Sequence, residues 1–252
     1  MKERWRWELV LVAGLVFVSF LLYAVHYALF HDLHHIQIFL VADLAFLPIE
    51  VILLTFVIHR LLESRERRER LEKLHMIVGI FFSEFGNRVL ESYARLDPGL
   101  EEKRASVTVS DRWSDQDFSV LCDELSRHPY QVPVTEGDIR ALGTLFLSGK
   151  DLLLRLYENP LLAEGEEFSE VLRSMIHLSN EIQRREGISP LPPSDLAHLS
   201  VDISRSYRGL ALLWVEYMRG TRSAYPYLFS LAVRTNPFLS GGSPLVTQNQ
   251  DP

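Results

Sequence analysis

The chain has 252 residues, 47% of them hydrophobic, with one cysteine and a formal net charge of −7. That length accommodates a membrane hairpin plus one soluble domain of ordinary size. The mild acidity, with no basic face and no aromatic–basic interleaving, argues against nucleic acid as a partner. The lone Cys122 excludes an intrachain disulfide and any thiolate zinc site built by one chain.

Residues 9–30 form an apolar run broken only by Gly14, Ser19 and His26, and residues 36–58 form a second that contains Asp43, Pro48 and Glu50. About 20 such residues cross the hydrocarbon core as a helix. Neither run alternates apolar and polar residues, so a β-barrel is excluded. The link, His31-Asp32-Leu33-His34-His35, is too short for a domain, and the two helices are expected as antiparallel neighbours. A cleaved signal peptide fits less well, because the first run is too long, lacks a clean cleavage site and is followed at once by a second span.

Lys2, Arg4 and Arg6 precede the first run; Arg60, Arg65, Arg67, Arg68, Arg70 and Lys73 follow the second; the turn has no Lys or Arg. The positive-inside rule then predicts a multi-pass protein of the inner (cytoplasmic) membrane, with both termini cytoplasmic and the turn outside. Trp5 and Trp7 suit the inner aromatic belt, and Tyr23 and Tyr27 approach the outer one.

The pattern divides the chain into a hairpin over 1–59, a charged helical stalk over 60–96, an all-α cytoplasmic domain over 97–236 and a disordered tail over 237–252. From residue 63 to 70 nothing is apolar. Such a helix is solvated and held by i,i+4 pairs, here Glu63 with Arg67, Glu66 with Arg70 and Glu69 with Lys73. Its basic residues are read as a contact with anionic lipid, as a signalling stalk or as a soluble spacer at the positive-inside boundary. Leu71, Leu74, Val78, Phe81, Phe85 and Val89 then step by 3 and 4, the seam of a packed helix that ends at Asp97-Pro98-Gly99.

Residues 97–113 read as loop, with a short Val107-Thr108-Val109 run that could make an isolated strand. Ser114 caps a helix to about Arg127, and Thr135, with Asp138 three residues on, caps another to about Tyr157. A third runs from about Glu166 to Arg185, with Gly187 beyond its end. Ser194 is expected to cap the longest helix, to about Arg219, and residues 225–235 form a last short one. The fold class is therefore all-α, a transmembrane helical hairpin plus a cytoplasmic bundle of about five helices.

Ionisable residues at membrane depth are the strongest functional signal, because each costs about 2.5–3.5 kcal/mol on insertion scales. Asp43 and Glu50 share a face, His26 lies at about the depth of Asp43, and a His26–Asp43 pair would lower the cost of both. Glu50 finds no partner in the first span and points to a homo-oligomer, to water or to protonation. Two readings follow, a proton or cation path along Asp43 and Glu50 and a structural contact that fixes helix pairing.

His31, His34 and His35, with His26 a turn back, are candidate transition-metal ligands, although their spacing matches no standard motif. A polar interfacial turn and a pH sensor are the other readings. No catalytic residue is assigned and no cofactor is expected beyond a metal at that turn. Gly143 to Lys150 is one residue too long for a phosphate loop, and Asp151 replaces its Ser or Thr. Glu72-x-x-His75 and Asp195-x-x-His198 lack the other carboxylates of a di-iron bundle. His177, with Glu181 one turn on, reads as a helix-surface pair.

His31 to Ile36, then Asp43-Leu44-Ala45-Phe46-Leu47-Pro48-Ile49-Glu50 and Phe81-Phe82-Ser83-Glu84-Phe85-Gly86, resemble a group of uncharacterised bacterial and archaeal membrane proteins with two spans and a cytoplasmic helical domain. The resemblance covers about the first third of the chain and implies no activity and no site residue. The expected function is a non-enzymatic, oligomeric sensing or scaffolding module whose partners are the bilayer, further copies of itself and a cytoplasmic protein. The alternatives are a small ion or proton conductor and a metal-binding protein or enzyme.

Overall fold

In a computed structural model, residues 2–103, 107–239 and 243–245 are described, and they are helical with no strand among them. The chain divides into two units, residues 1–66 and 67–252.

The first unit holds α1 (Lys2–Phe30) and the beginning of α2 (Leu33–Phe81). Only His31 and Asp32 are non-helical between them, where a five-residue turn is expected from the sequence. The reason is local. His31 takes the left-handed conformation at φ 52°, and the Asp32 carboxylate accepts from the N–H groups of His34 (2.9 Å) and His35 (3.1 Å). Two orphan donors of α2 are thereby satisfied and the helix begins at once. Pro48 lies inside α2 without ending it, and its missing N–H leaves the carbonyl of Leu44 without a helical donor. Both helices are long and apolar enough to cross a membrane, and none of either apolar stretch is buried.

In the second unit α2 ends at Phe81 and passes through a π-helical turn, Phe82–Gly86, into α3 (Asn87–Leu96). Leu74, Val78, Phe81, Phe82, Phe85, Val89, Leu90 and Tyr93 are buried, whereas Leu71, read as the first step of the same seam, is 45% exposed. A 3-10 turn, Pro98–Lys103, follows. The expected Val107–Val109 strand does not form. Both valines are buried in loop, and the Val107 carbonyl accepts from Asn236 Nδ2 at 2.8 Å.

Helix α4 (Asp115–Ser126) carries a full capping box between Ser114 and Asp117, and α5 (Glu136–Tyr157) carries one between Thr135 and Asp138. A second 3-10 turn, Pro160–Glu164, leads into α6 (Glu166–Gln183). Helix α7 (Pro193–Ala224) starts one residue before the expected cap. Proline suits the first helical position because its missing N–H is an orphan there anyway, so Ser194 lies within the helix. Helix α8 (Pro226–Arg234) closes the series.

Helix α7 is the central element and packs against α3, α4, α6 and α8, while α5 packs against α6. Its Tyr207, Leu210, Ala211, Trp214 and Met218 are almost fully buried, each large side chain contributing about 1.5–3 kcal/mol by leaving water. The folded part extends past the expected boundary at 236: Phe238 is buried edge-on against Trp214 at 5.2 Å. Residues 240–242 and 246–252 of the expected tail lie outside the described residues.

Arg68 meets Glu72 at 3.2 Å, with the base N-terminal, and Arg70 reaches Glu164 at 3.1 Å. The second contact ties α2 to the turn before α6, a long-range role that a local i,i+4 rule does not anticipate. Arg60 lies over the Phe56 ring at 5.1 Å.

Candidate functional site

Four polar residues of the hairpin border one space. Ser19, Tyr23 and His26 of α1 and Asp43 of α2 line a cavity of about 440 Å³ whose remaining walls are Leu22, Ile36 and Phe39. They share it because α1 residues four and three apart fall on one face and the two-residue turn sets Ile36, Phe39 and Asp43 of α2 across the cavity from that face. His26 Nε2 is buried with no hydrogen-bond partner among the described residues. The expected His26–Asp43 pair is not made by a hydrogen bond from His26 Nε2, although both residues line the same cavity. Glu50 is exposed and has no hydrogen bond or ion pair among the described residues.

The turn histidines do not gather around a point. His26 and His35 stack with parallel rings 6.0 Å apart, His31 packs against Tyr27, and Asp32 is occupied in capping α2. Parallel rings aim their nitrogen lone pairs along parallel planes rather than at a common ion. Among the described residues no three His, Cys, Asp or Glu side chains stand ready around a metal.

The second unit contains a buried polar cluster that the linear pattern does not disclose. Asp97 Oδ2 and His128 Nε2 are 2.5 Å apart, and both side chains are 1% exposed. Asp97 Oδ1 also accepts from the N–H of Gly99 at 3.0 Å. Tyr130, in the left-handed conformation at φ 46°, stands edge-on to both His128 (4.7 Å) and Tyr207 (4.8 Å). A non-glycine residue held there costs about 1–3 kcal/mol, so the surrounding contacts must fix it. Burial, and then the Asp97 charge, push the Tyr207 phenol well above its ordinary range, while its hydroxyl faces Asp97 without meeting hydrogen-bond geometry. Burial does the same to Tyr130. Both phenols stay protonated at any physiological pH. The cluster is sealed from solvent and joins the 97–103 turn to the 128–132 loop and to α7. Its chemistry is that of a structural tie, since no substrate reaches it.

Other sequence candidates find ordinary positions. Gly149 is where the Phe85 ring crosses α5, and Lys150 reaches Gln183 at 3.0 Å, so the glycine–lysine run serves packing. His75 lies between the rings of Tyr217 and Tyr225, with Nε2 3.2 Å from the Thr221 hydroxyl. Cys122 is half-buried on α4, and burial raises its thiol pKa, which disfavours the nucleophilic thiolate.

The molecule is thus an all-helical protein made of an apolar two-helix unit and a larger helical unit, with the cavity bordered by Ser19, Tyr23, His26 and Asp43 in the first. It belongs to the uncharacterised MJ1433 family: the family's N-terminal helical domain matches residues 2–62, and its C-terminal helical domain matches residues 70–234. The chain is 39% identical over 233 residues to the uncharacterised protein MJ1433 of Methanocaldococcus jannaschii, covering 92% of this chain and 94% of that one. No solved structure matches.

Proposed function

We propose that α1 and the first part of α2 are a membrane hairpin, with both chain termini in the cytoplasm, that anchors a helical module working by sensing or scaffolding in an oligomer. One observation carries the reading: the apolar stretches of both helices are wholly unburied within the chain. In water, a single exposed leucine- or phenylalanine-sized side chain forgoes about 1.5–3 kcal/mol. Two helices of them are supported by lipid or by other chains and by nothing within this one. Lipid accounts for the charge pattern as well, since Arg6 and the run from Arg60 to Lys73 flank a turn free of Lys and Arg.

Oligomerisation is supported by Glu50, an acid that the chain leaves exposed inside the apolar stretch. Its cost falls if it meets a polar group of a second copy. The cavity bounded by Ser19, Tyr23, His26 and Asp43 favours a second reading, a small ion or proton conductor in which Asp43 and Glu50 carry the charge. Loss of flux in liposomes on Asp43→Asn and Glu50→Gln supports that reading.

Single cysteines placed at 2, 33, 43, 50 and 66 in a Cys122→Ser background test the hairpin by impermeant labelling from each side of the bilayer. Position 33 should label from outside only, positions 2 and 66 from inside only. Solubility without detergent, or labelling of position 33 from the cytosolic side, overturns the proposal.

A further inference from the structure

Helices α6 and α7 run side by side and carry the same spacing at the same level: His177 and Glu181 on α6, His198 and Asp202 on α7, each an imidazole four residues before a carboxylate. Four residues make about one helical turn, so each pair projects from one face. Because the chain reverses between the helices, the imidazole of one faces the carboxylate of the other. His198 Nε2 is 3.5 Å and His177 Nε2 is 3.8 Å from the same atom, Asp202 Oδ2. That oxygen is itself buried and has no hydrogen-bond partner among the described residues, on a side chain only 8% exposed. Arg205 holds the other oxygen, Oδ1, at 3.2 Å. Glu181 is held to Arg185 at 2.7 Å. Its carboxyl is kept below the usual range by that hydrogen bond and, more weakly, by the nearby His177 and His198.

We propose that His177, His198 and Asp202 form a binding site for a divalent transition ion of the zinc class, with Glu181 placed to supply a fourth donor. Imidazole nitrogen and carboxylate oxygen are the donor set such ions take when thiolate is absent. Two donors each 2.0–2.1 Å from a tetrahedral zinc lie about 3.3 Å apart. The observed separations exceed that by about 0.2 and 0.5 Å, and these donors do not stand closed around a point. The two imidazoles are 55% and 58% exposed, so their rings have room to turn toward an ion. A cation there would also satisfy the one unpartnered oxygen of a nearly buried carboxylate, which otherwise costs free energy. Arg205, 69% exposed, keeps Asp202 oriented on its far side, as the outer partners of metal-ligating carboxylates do. The stacked histidines of the hairpin turn offer no such convergence.

The test is Zn²⁺ titration by calorimetry of the chelator-treated full chain in detergent, with Co²⁺ absorption as a report on ligand geometry. One Zn²⁺ per chain is expected. His198→Ala should weaken it by at least about tenfold, and the His177→Ala/His198→Ala pair by on the order of 100-fold or more. The His31→Ala/His34→Ala/His35→Ala variant should bind as the unaltered chain does. Both domain histidines are about half exposed, so their removal should leave the circular dichroism unchanged. Should either variant misfold, the shift of the His177 and His198 ring resonances on adding Zn²⁺ to the unaltered chain decides the question. The proposal is overturned by absence of stoichiometric binding, by binding that survives loss of both histidines, or by binding that disappears with the turn histidines instead.

Discussion

Replacing Gly149 by alanine sets two known effects against each other. In the middle of α5, alanine is favoured over glycine by about 1 kcal/mol of helix propensity. The added methyl, however, would stand 2.2 Å from Phe85 Cε2 and 2.4 Å from Cδ2. Phe85 is 1% exposed and its ring packs edge-on against Phe146 at 5.9 Å, so it has no free space to retreat into. Overpacking of this kind costs about 1–3 kcal/mol, and contacts so far inside van der Waals range place it at the upper end. The net is a loss of about 2 kcal/mol, or a fall in Tm of about 4–8 °C for a domain of this size. Thermal unfolding of the full chain in detergent, followed by tryptophan fluorescence, reads it directly. Gly137→Ala is the control, because its methyl meets only Thr135 Oγ1, at 3.5 Å, and Tm should hold or rise slightly. If Gly149→Ala melts at or above the unaltered protein, the assigned packing of α5 on the π-helical turn is wrong.

Burial lowers the pKa of His75 from its ordinary value of 6.5. The unfolded chain therefore takes up a proton first as pH falls, so stability is full above about 6.5 and declines below it. Denaturation midpoints measured between pH 8 and 5 should show that decline, and His75→Gln should flatten it. Asn236 donates to Val107 and accepts from the N–H of Phe238, at 1% exposure. Asn236→Ala should cost about 1–3 kcal/mol by leaving buried groups unpaired, and should shift Trp214 emission to the red as Phe238 loosens.

Much of the larger unit is legible in the sequence because its signals are local. Ser114 with Asp117 and Thr135 with Asp138 mark helix starts within one turn, and the stripe on α6 from Phe168 to Ile182 shows a repeat that needs no partner to be seen. Where neighbouring residues offer two solutions the reading slips, as at α7, where Pro193 rather than Ser194 opens the helix. What depends on distant residues is invisible until the chain folds. Asp97 and His128, 31 positions apart, look like a loop acid and a helix-stopping histidine. Asn236, the first residue of a Pro-, Gly- and Ser-rich stretch, instead closes the fold. His177 reads as a helix-surface partner of Glu181 and His198 as part of an incomplete Asp195-x-x-His198 pattern, although the repeated spacing to Glu181 and Asp202 is present in the sequence. In the hairpin the sequence brings His26 and Asp43 to one cavity, but it does not reveal that His26 Nε2 makes no hydrogen bond there.

The π-helical turn at Phe82–Gly86 bears on how this segment can change over generations. At about 100° per residue, Leu74, Val78 and Phe81 centre on one direction, and Val89, Leu90 and Tyr93 on another about 100° away if the helix were regular throughout. That offset equals one residue, the amount a wider turn absorbs. The wider turn thus holds one residue more than a regular helix would, without a loop. Removing one residue from this turn would not shorten a linker; it would swing Tyr93 and its neighbours out of the core together. Length is as strictly fixed here as chemistry is elsewhere in the protein.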